Sequence, residues 1–315
     1  MKRTNGHIGI VLLLAAGLLA GCAGSGDEPT TGGEASDIRF NANIRQVMEG
    51  TRTTTFDNLA ALQTEASFTC STYDAGTTTE HFMDALVVYS SSLWAFSPAK
   101  YWPLPPTAGA AYPSLDFFAY MPASKPDYIT DITYTTVGSP QFTCKNLSGS
   151  ASKEFICALT TGQNKNSNSG TVNLDFKHPF ARLKFQLSAS HPDITIYTIT
   201  LKNLKTGGTC TFNGSTTSWS TASAATADFV ADINQACSTS VSVQDLGTNY
   251  IVVPQTLDLE ITVKAGWIDW GETIPHYVST TLTDVTWAAG TSYTYIFTIT
   301  ESDLKVDTTK FTEQW

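Results

Sequence analysis

Asp37-Ile38-Arg39-Phe40-Asn41-Ala42-Asn43-Ile44 alternates apolar and polar side chains without a break from Ile38 onward, the period of a strand with one face buried and the other in water. Ile38, Phe40, Ala42 and Ile44 form its apolar face. Immediately downstream, Gln46 to Thr55 is a polar run that contains Arg52, and Arg45 abuts the strand. A strand therefore stands beside a connection that a protease can cut. Removing such a strand from a folded sheet would leave an apolar groove edged by unpaired backbone, which a strand from another chain can fill.

Upstream lies the layout of an export signal: Lys2 and Arg3, an apolar run from Ile8 to Leu19, then Leu19-Ala20-Gly21-Cys22. The run is too short and wrongly flanked for a spanning helix. Small residues before a cysteine resemble the lipobox of bacterial lipoproteins, so residues 1–21 are expected to be removed and Cys22 to carry the lipid that holds the chain at a membrane. Ala23 to Ser36, rich in Gly, Ser, Thr and acid, reads as a flexible tether that starts at Cys22.

Removing residues 1–21 from 315 leaves 294, enough for about two domains with cores of their own. The formal charge of −10 becomes −12 once Lys2 and Arg3 are gone. Such a surface repels nucleic acid and anionic headgroups, and nucleic acid is excluded as a partner. Cys70, Cys144, Cys157, Cys210 and Cys237 remain; Cys144 with Cys157, or Cys210 with Cys237, can each close a modest loop, and the odd count leaves at least one over. No closely spaced cysteine pair exists, and His81, His178, His191 and His276 are scattered singly, so neither a metal nor a cofactor is implied.

Past a short helical stretch at 56–62, strand signals dominate: 68–73, 81–89, 93–96, and Leu115 to Pro122, which is apolar on both parities as a strand covered on both faces should be. Thr161 to Gly170 is the clearest loop and the expected boundary between an N-terminal sandwich (37–170) and a C-terminal one (171–315). The second opens with Val172, Leu174 and Phe176 and continues through 183–187, 194–201, 250–253, 259–265 and 293–300. The tail, 304–315, reads as two short strand tracts joined by a bend at Asp307-Thr308-Thr309, with Leu304 and Val306 on one parity and Phe311 and Trp315 on the other. The fold class is all-β, two sandwiches in tandem.

Chemistry is sparse. His178 before Pro179, and His81 three residues from Asp84, are the places for an acid/base pair, but neither has the nucleophile and orienting group that catalysis requires, and no enzyme is expected. Trp267, Trp270 and Trp287 with Tyr277 offer an aromatic platform for sugar stacking, which makes a glycan-binding surface lipoprotein or tip adhesin the alternative reading.

Several motifs together resemble the fimbrillin family, the Mfa-like subunits of type V pili: the segment ending at Cys22, Arg52-Thr53-Thr54, Trp94 followed by Tyr101-Trp102-Pro103, Leu115-Asp116-Phe117-Phe118-Ala119-Tyr120 with Pro122, Leu174-Asp175-Phe176-Lys177-His178 with Ala181 and Leu183, Val253-Pro254-Gln255-Thr256, and Trp287-Ala288-Ala289-Gly290 with Tyr293 and Tyr295. The resemblance implies transthyretin-like, Greek-key sandwiches and a structural role in a surface fimbria. It further implies cleavage after Arg52 or Arg45, loss of the strand 38–44, and a C-terminal donor tract carrying Leu304, Val306, Phe311 and Trp315. Other pilin subunits, identical or different, are the implied partners, with surface glycans or proteins as adhesion targets. Asp307-Thr308-Thr309 also resembles a bacterial O-glycosylation acceptor. Stalk, tip and anchor roles stay open.

Overall fold

The computed structural model describes residues 36–44, 56–147, 154–188, 194–237, 243–269, 272–299 and 304–314. Cys22, the export signal, nearly all of the tether, Arg45, Arg52, His191, Trp270 and Trp315 lie outside them. In chain order the first half supplies β1 (Arg39–Ile44), helix α1 (Leu59–Glu65), β2 (Ser67–Asp74), β3 (Glu80–Ser90), β4 (Leu93–Phe96), β5 (Leu115–Met121), β6 (Ile129–Thr133), β7 (Gln141–Cys144), β8 (Ile156–Gln163) and β9 (Thr171–Phe176). The second supplies β10 (Ala181–Ser188), β11 (Ile194–Lys205), β12 (Gly208–Phe212), β13 (Thr217–Ser220), β14 (Thr226–Cys237), β15 (Val243–Val252), β16 (Gln255–Asp269), β17 (Glu272–Trp287), β18 (Thr291–Ile299) and β19 (Leu304–Gln314). The all-β class expected from the alternation stands.

A seven-stranded sheet runs β8-β5-β2-β3-β4-β1-β9. Its two edges meet where Cys157 and Lys177 exchange backbone hydrogen bonds of 3.1 and 2.9 Å, so the sheet curls round on itself. The interior of the curl is packed with Ile38, Phe40, Phe68, Val87, Trp94, Phe96, Trp102, Phe117, Leu174 and Phe176 among others. A four-stranded sheet, β13-β12-β7-β6, covers the outer side, and Tyr73, Phe118, Tyr120, Phe142, Phe155 and Phe212 fill the space between. This explains why β5 is buried at every position: its even and odd residues serve two different cores. A second sandwich follows, β15-β10-β18-β19 against β14-β11-β16-β17, around Leu183, Phe185, Ile199, Val263, Trp287 and Phe297.

Two pairings cross the boundary expected at residue 170. β9, read as the opening strand of the second sandwich, pairs with β1 in the first sheet. β12 pairs with β7, so residues 208–211 join the outer sheet of the first half. Alternation states that a strand has one buried face; it does not name the neighbour.

Neither disulfide offered by the spacing forms. Cys70, Cys144, Cys157, Cys210 and Cys237 are all buried free thiols, and three of them, Cys144, Cys157 and Cys210, share the core under the outer sheet. Burial pushes their ionisation up, that of Cys144 to about 12, and those of Cys157 and Cys210 further still. They behave as small apolar side chains.

Candidate functional site: the β1 slot and the C-terminal edge strand

β1 is an interior strand of its sheet. It runs antiparallel to β4, with Phe40 opposite Trp94, and parallel to β9 in a continuous register from Arg39↔Thr171 to Ile44↔Phe176. The ladder extends towards the N-terminus: Ile38 N–H donates to Lys100 O at 2.9 Å, and Trp102 N–H donates to Ser36 O at 3.0 Å. The alternation seen in the sequence maps directly onto the fold. Ile38, Phe40, Ala42 and Ile44 are 1, 1, 4 and 7% exposed, while Arg39, Asn41 and Asn43 face solvent.

Phe40 is the centre of the slot. Its ring meets Phe96, Phe68 and Phe117 edge-on at centroid distances of 5.1, 5.7 and 5.9 Å, the geometry in which aromatic quadrupoles attract. On the outer face Asn41 Nδ2 donates to Asn173 Oδ1 at 3.0 Å, an exposed contact of small net value.

Both ends of the slot are built by residues distant in sequence. At the N-terminal mouth the Trp102 indole N–H donates to Gly170 O at 3.0 Å. Gly170 sits at φ +80°, and a Cβ there would come within 3.3 Å of Lys165 O and 3.4 Å of Trp102 Nε1, so glycine is required. The Tyr101-Trp102-Pro103 motif thus pins the end of the 161–170 loop to the start of β9.

Beyond the other end, the chain that re-enters at Phe56 is held firmly. Phe56 is buried, and its N–H donates to Glu154 Oε2 at 3.2 Å. Glu154 Oε1 lies 2.6 Å from His178 Nδ1, and both side chains are sealed from water. Asp57 Oδ1 accepts from Arg182 Nη1 at 2.8 Å, and Arg182 Nε donates to Ser292 Oγ at 3.3 Å. Asn58 caps α1 by accepting from Ala61 N–H at 2.9 Å. Residues 56–58 are therefore bolted to both sandwiches, whatever happens in the connection before them. Nothing in the sequence signals this clamp, because its partners lie about a hundred residues away.

His178 is thus a structural partner of Glu154. His81 pairs with Asp74 at 3.1 Å rather than with Asp84, which instead accepts from the Ser71 hydroxyl at 3.2 Å. Among the described residues no three His, Cys, Asp or Glu side chains gather as metal ligands.

The C-terminal tract is placed within its own molecule. β19 pairs antiparallel with β18 from Ile299↔Leu304 to Ser292↔Phe311 and forms the edge of its sheet. The bend expected at Asp307-Thr308-Thr309 is absent: those residues pair with Ile296, Tyr295 and Thr294, and the irregularity falls later, between the Thr291 and Ser292 pairings. Leu304 is 2% exposed inside the second core, and Val306 packs against it.

Among the described residues the aromatic platform is not assembled. Trp267 and Trp287 lie in the second core, Trp287 donating its indole N–H to Tyr295 OH at 2.7 Å and Trp267 stacking on His276 at 3.7 Å. Their parity on β16 and β17 points them at the opposite sheet, alongside Val263 and Ala265. Tyr277, 67% exposed, remains on the outer face, where Lys264 Nζ lies 5.7 Å from its ring and equally far from that of Tyr197.

The architecture has relatives. A fimbrial protein from Bacteroides vulgatus superposes with a TM-score of 0.62 at 17% identity, over 89% of this chain and 100% of that one. Two proteins described as a "putative cell adhesion protein", from Bacteroides ovatus and Bacteroides uniformis, each superpose with a TM-score of 0.52, at 15 and 14% identity, over 88% of this chain and 97% of theirs. These likenesses establish a shared fold. No curated protein matches the sequence. The fimbrillin-like family model matches residues 51–315, all of the chain beyond β1 and most of the connection that follows it, and on that extent of agreement the chain belongs to the fimbrillin-like family.

Proposed function

We propose that this chain is a structural subunit of a cell-surface fimbria that supports adhesion and is assembled by strand complementation. In this reading a lipoprotein precursor, anchored at the outer membrane through Cys22, is cut after Arg52 or Arg45. β1 then leaves the slot between β4 and β9, and a strand from another pilin subunit replaces it. The tract 304–315, made of β19 with Leu304, Val306 and Phe311 and of the Trp315 that follows it in sequence, is the candidate donor to a neighbour, since an edge strand of 11 residues is a ready pairing template. The observation that carries the reading is the position of β1: an interior strand of one sheet, buried on one face, joined to the body downstream only through residues 45–55.

The clamp at Phe56 and Asp57 supports it, because a cut anywhere in 45–55 leaves the body anchored from residue 56 onward. Of the four aromatic residues of the glycan-binding alternative, Trp267 and Trp287 lie in the core and Tyr277 is exposed, while Trp270 lies outside the described residues. The test is to place a site-specific protease sequence at residues 46–51, cut the folded chain, and challenge it with excess synthetic peptide spanning 36–45. Exchange of the N-terminal fragment for the peptide, with the body staying folded, is the expected result. A fragment that falls away on cutting with no change in the body's melting would refute the slot as a binding site.

A further inference from the structure

The slot has a readable specification, and the chain's own tail does not meet it. Inward places along β1 are taken by Ile38, Phe40, Ala42 and Ile44: a branched aliphatic, an aromatic ring among three others, a small residue, and a branched aliphatic. An occupant running alongside β9 has to supply that order at every second residue.

The tail reads Leu304-Lys305-Val306-Asp307-Thr308-Thr309-Lys310-Phe311-Thr312-Glu313-Gln314-Trp315. Only Phe311 and Trp315 can fill the place of Phe40 with a ring. Both lie two residues from Glu313. Whichever of the two sits there, and in either strand direction, Glu313 falls in the place of Ile38 or Ala42, a carboxylate in an apolar interior without a partner. Registers built on Leu304 or Val306 avoid the carboxylate but underfill the Phe40 place, and they put Thr300, Ser302, Thr308 or Lys310 where Ile44 packs.

We infer that the strand which replaces β1 comes from a chain of different sequence, carrying the pattern aliphatic-x-aromatic-x-small-x-aliphatic, and that the subunit does not complement a second copy of itself. The inference rests on the strand-complementation reading above and narrows its partner. The fimbria then has a heterotypic junction at this slot: β19 serves a differently shaped slot in another subunit, while this slot recognises a different donor. A mismatch between tail and slot is a direct way to prevent closed self-assembly, since specificity is set as much by what is excluded as by what is bound.

The experiment uses the full chain cut within 45–55 and three labelled peptides: residues 36–45, the same peptide with Phe40→Ala, and residues 304–315. Incorporation is followed by co-elution of label with the body. Peptide 36–45 is expected to exchange in, the Phe40→Ala peptide to do so at least about 100-fold less tightly, and peptide 304–315 to compete no better than the Phe40→Ala peptide. Peptide 304–315 exchanging as readily as 36–45 overturns the heterotypic assignment while leaving strand complementation standing. Failure of all three, 36–45 included, overturns both readings.

Discussion

Phe40→Ala tests whether β1 is an energetic part of the fold or a loosely added edge. The ring is 1% exposed and sits between Phe96, Phe68 and Phe117 at 5.1 to 5.9 Å. Truncating a buried phenylalanine costs about 3–5 kcal/mol, the transfer free energy plus the cavity that rigid neighbours leave unfilled. The three facing rings cannot collapse into the space easily, because each is itself held in the core of the curled sheet. Total stability of a domain is only about 5–15 kcal/mol, so the loss is a large share. Asn43→Ala, on the exposed face of the same strand, is the matched control and should change stability by roughly 0.5 kcal/mol or less. Guanidinium titration of the intact chain, monitored by tryptophan fluorescence, reads the difference on the transition of the first sandwich. In calorimetry the same loss should lower that transition by roughly 6–20 °C. In the chain cut within 45–55, Phe40→Ala should hasten escape of the β1 fragment by about two to three orders of magnitude. If Phe40→Ala falls within about 1 kcal/mol of Asn43→Ala, β1 does not hold the slot as described, and the proposed exchange loses its energetic basis.

Other perturbations probe separate parts of the structure. Ala42→Leu, in the one small place of the strand, should destabilise the intact chain by about 1–3 kcal/mol through overpacking, measured by the same titration. Glu154→Ala removes the acceptor of the Phe56 N–H and the partner of buried His178; a cost of about 3 kcal/mol or more is expected, with amide exchange rising at residues 56–62. Native protein at pH 8 should leave Cys70, Cys144, Cys157, Cys210 and Cys237 unmodified by a thiol reagent, because burial both shields them and raises their ionisation, that of Cys144 to about 12; all should react once the chain is unfolded in guanidinium. Trp267→Ala should lower the melting temperature of the second sandwich, as a core truncation of about 3–5 kcal/mol does, whereas Tyr277→Ala, exposed on the outer face, should leave it nearly unchanged.

Alternation by itself determined the all-β class, the buried faces of β1, β9 and β10, and the double coverage of β5, because side-chain parity is a local property that burial enforces on each strand separately. It also determined the inward set Ile38, Phe40, Ala42 and Ile44 to the residue. Only the tertiary structure decided which strands are neighbours. That β1 lies between β4 and β9, that β12 joins the outer sheet of the first half, and that β19 lies along β18 are choices among many apolar faces of equal parity, settled by how the whole set packs. The same holds for side chains whose role depends on a distant partner. Trp267 and Trp287 could be read as platform or core until the facing sheet was in place, the cysteine spacings gave no hint that all five thiols would be buried and unpaired with one another, and the clamp from Phe56 and Asp57 to Glu154, His178 and Arg182 joins residues with no local reason to meet. β1 was legible as a strand from the alternation over residues 38–44; its position inside a sheet, on which any release or replacement depends, required the fold.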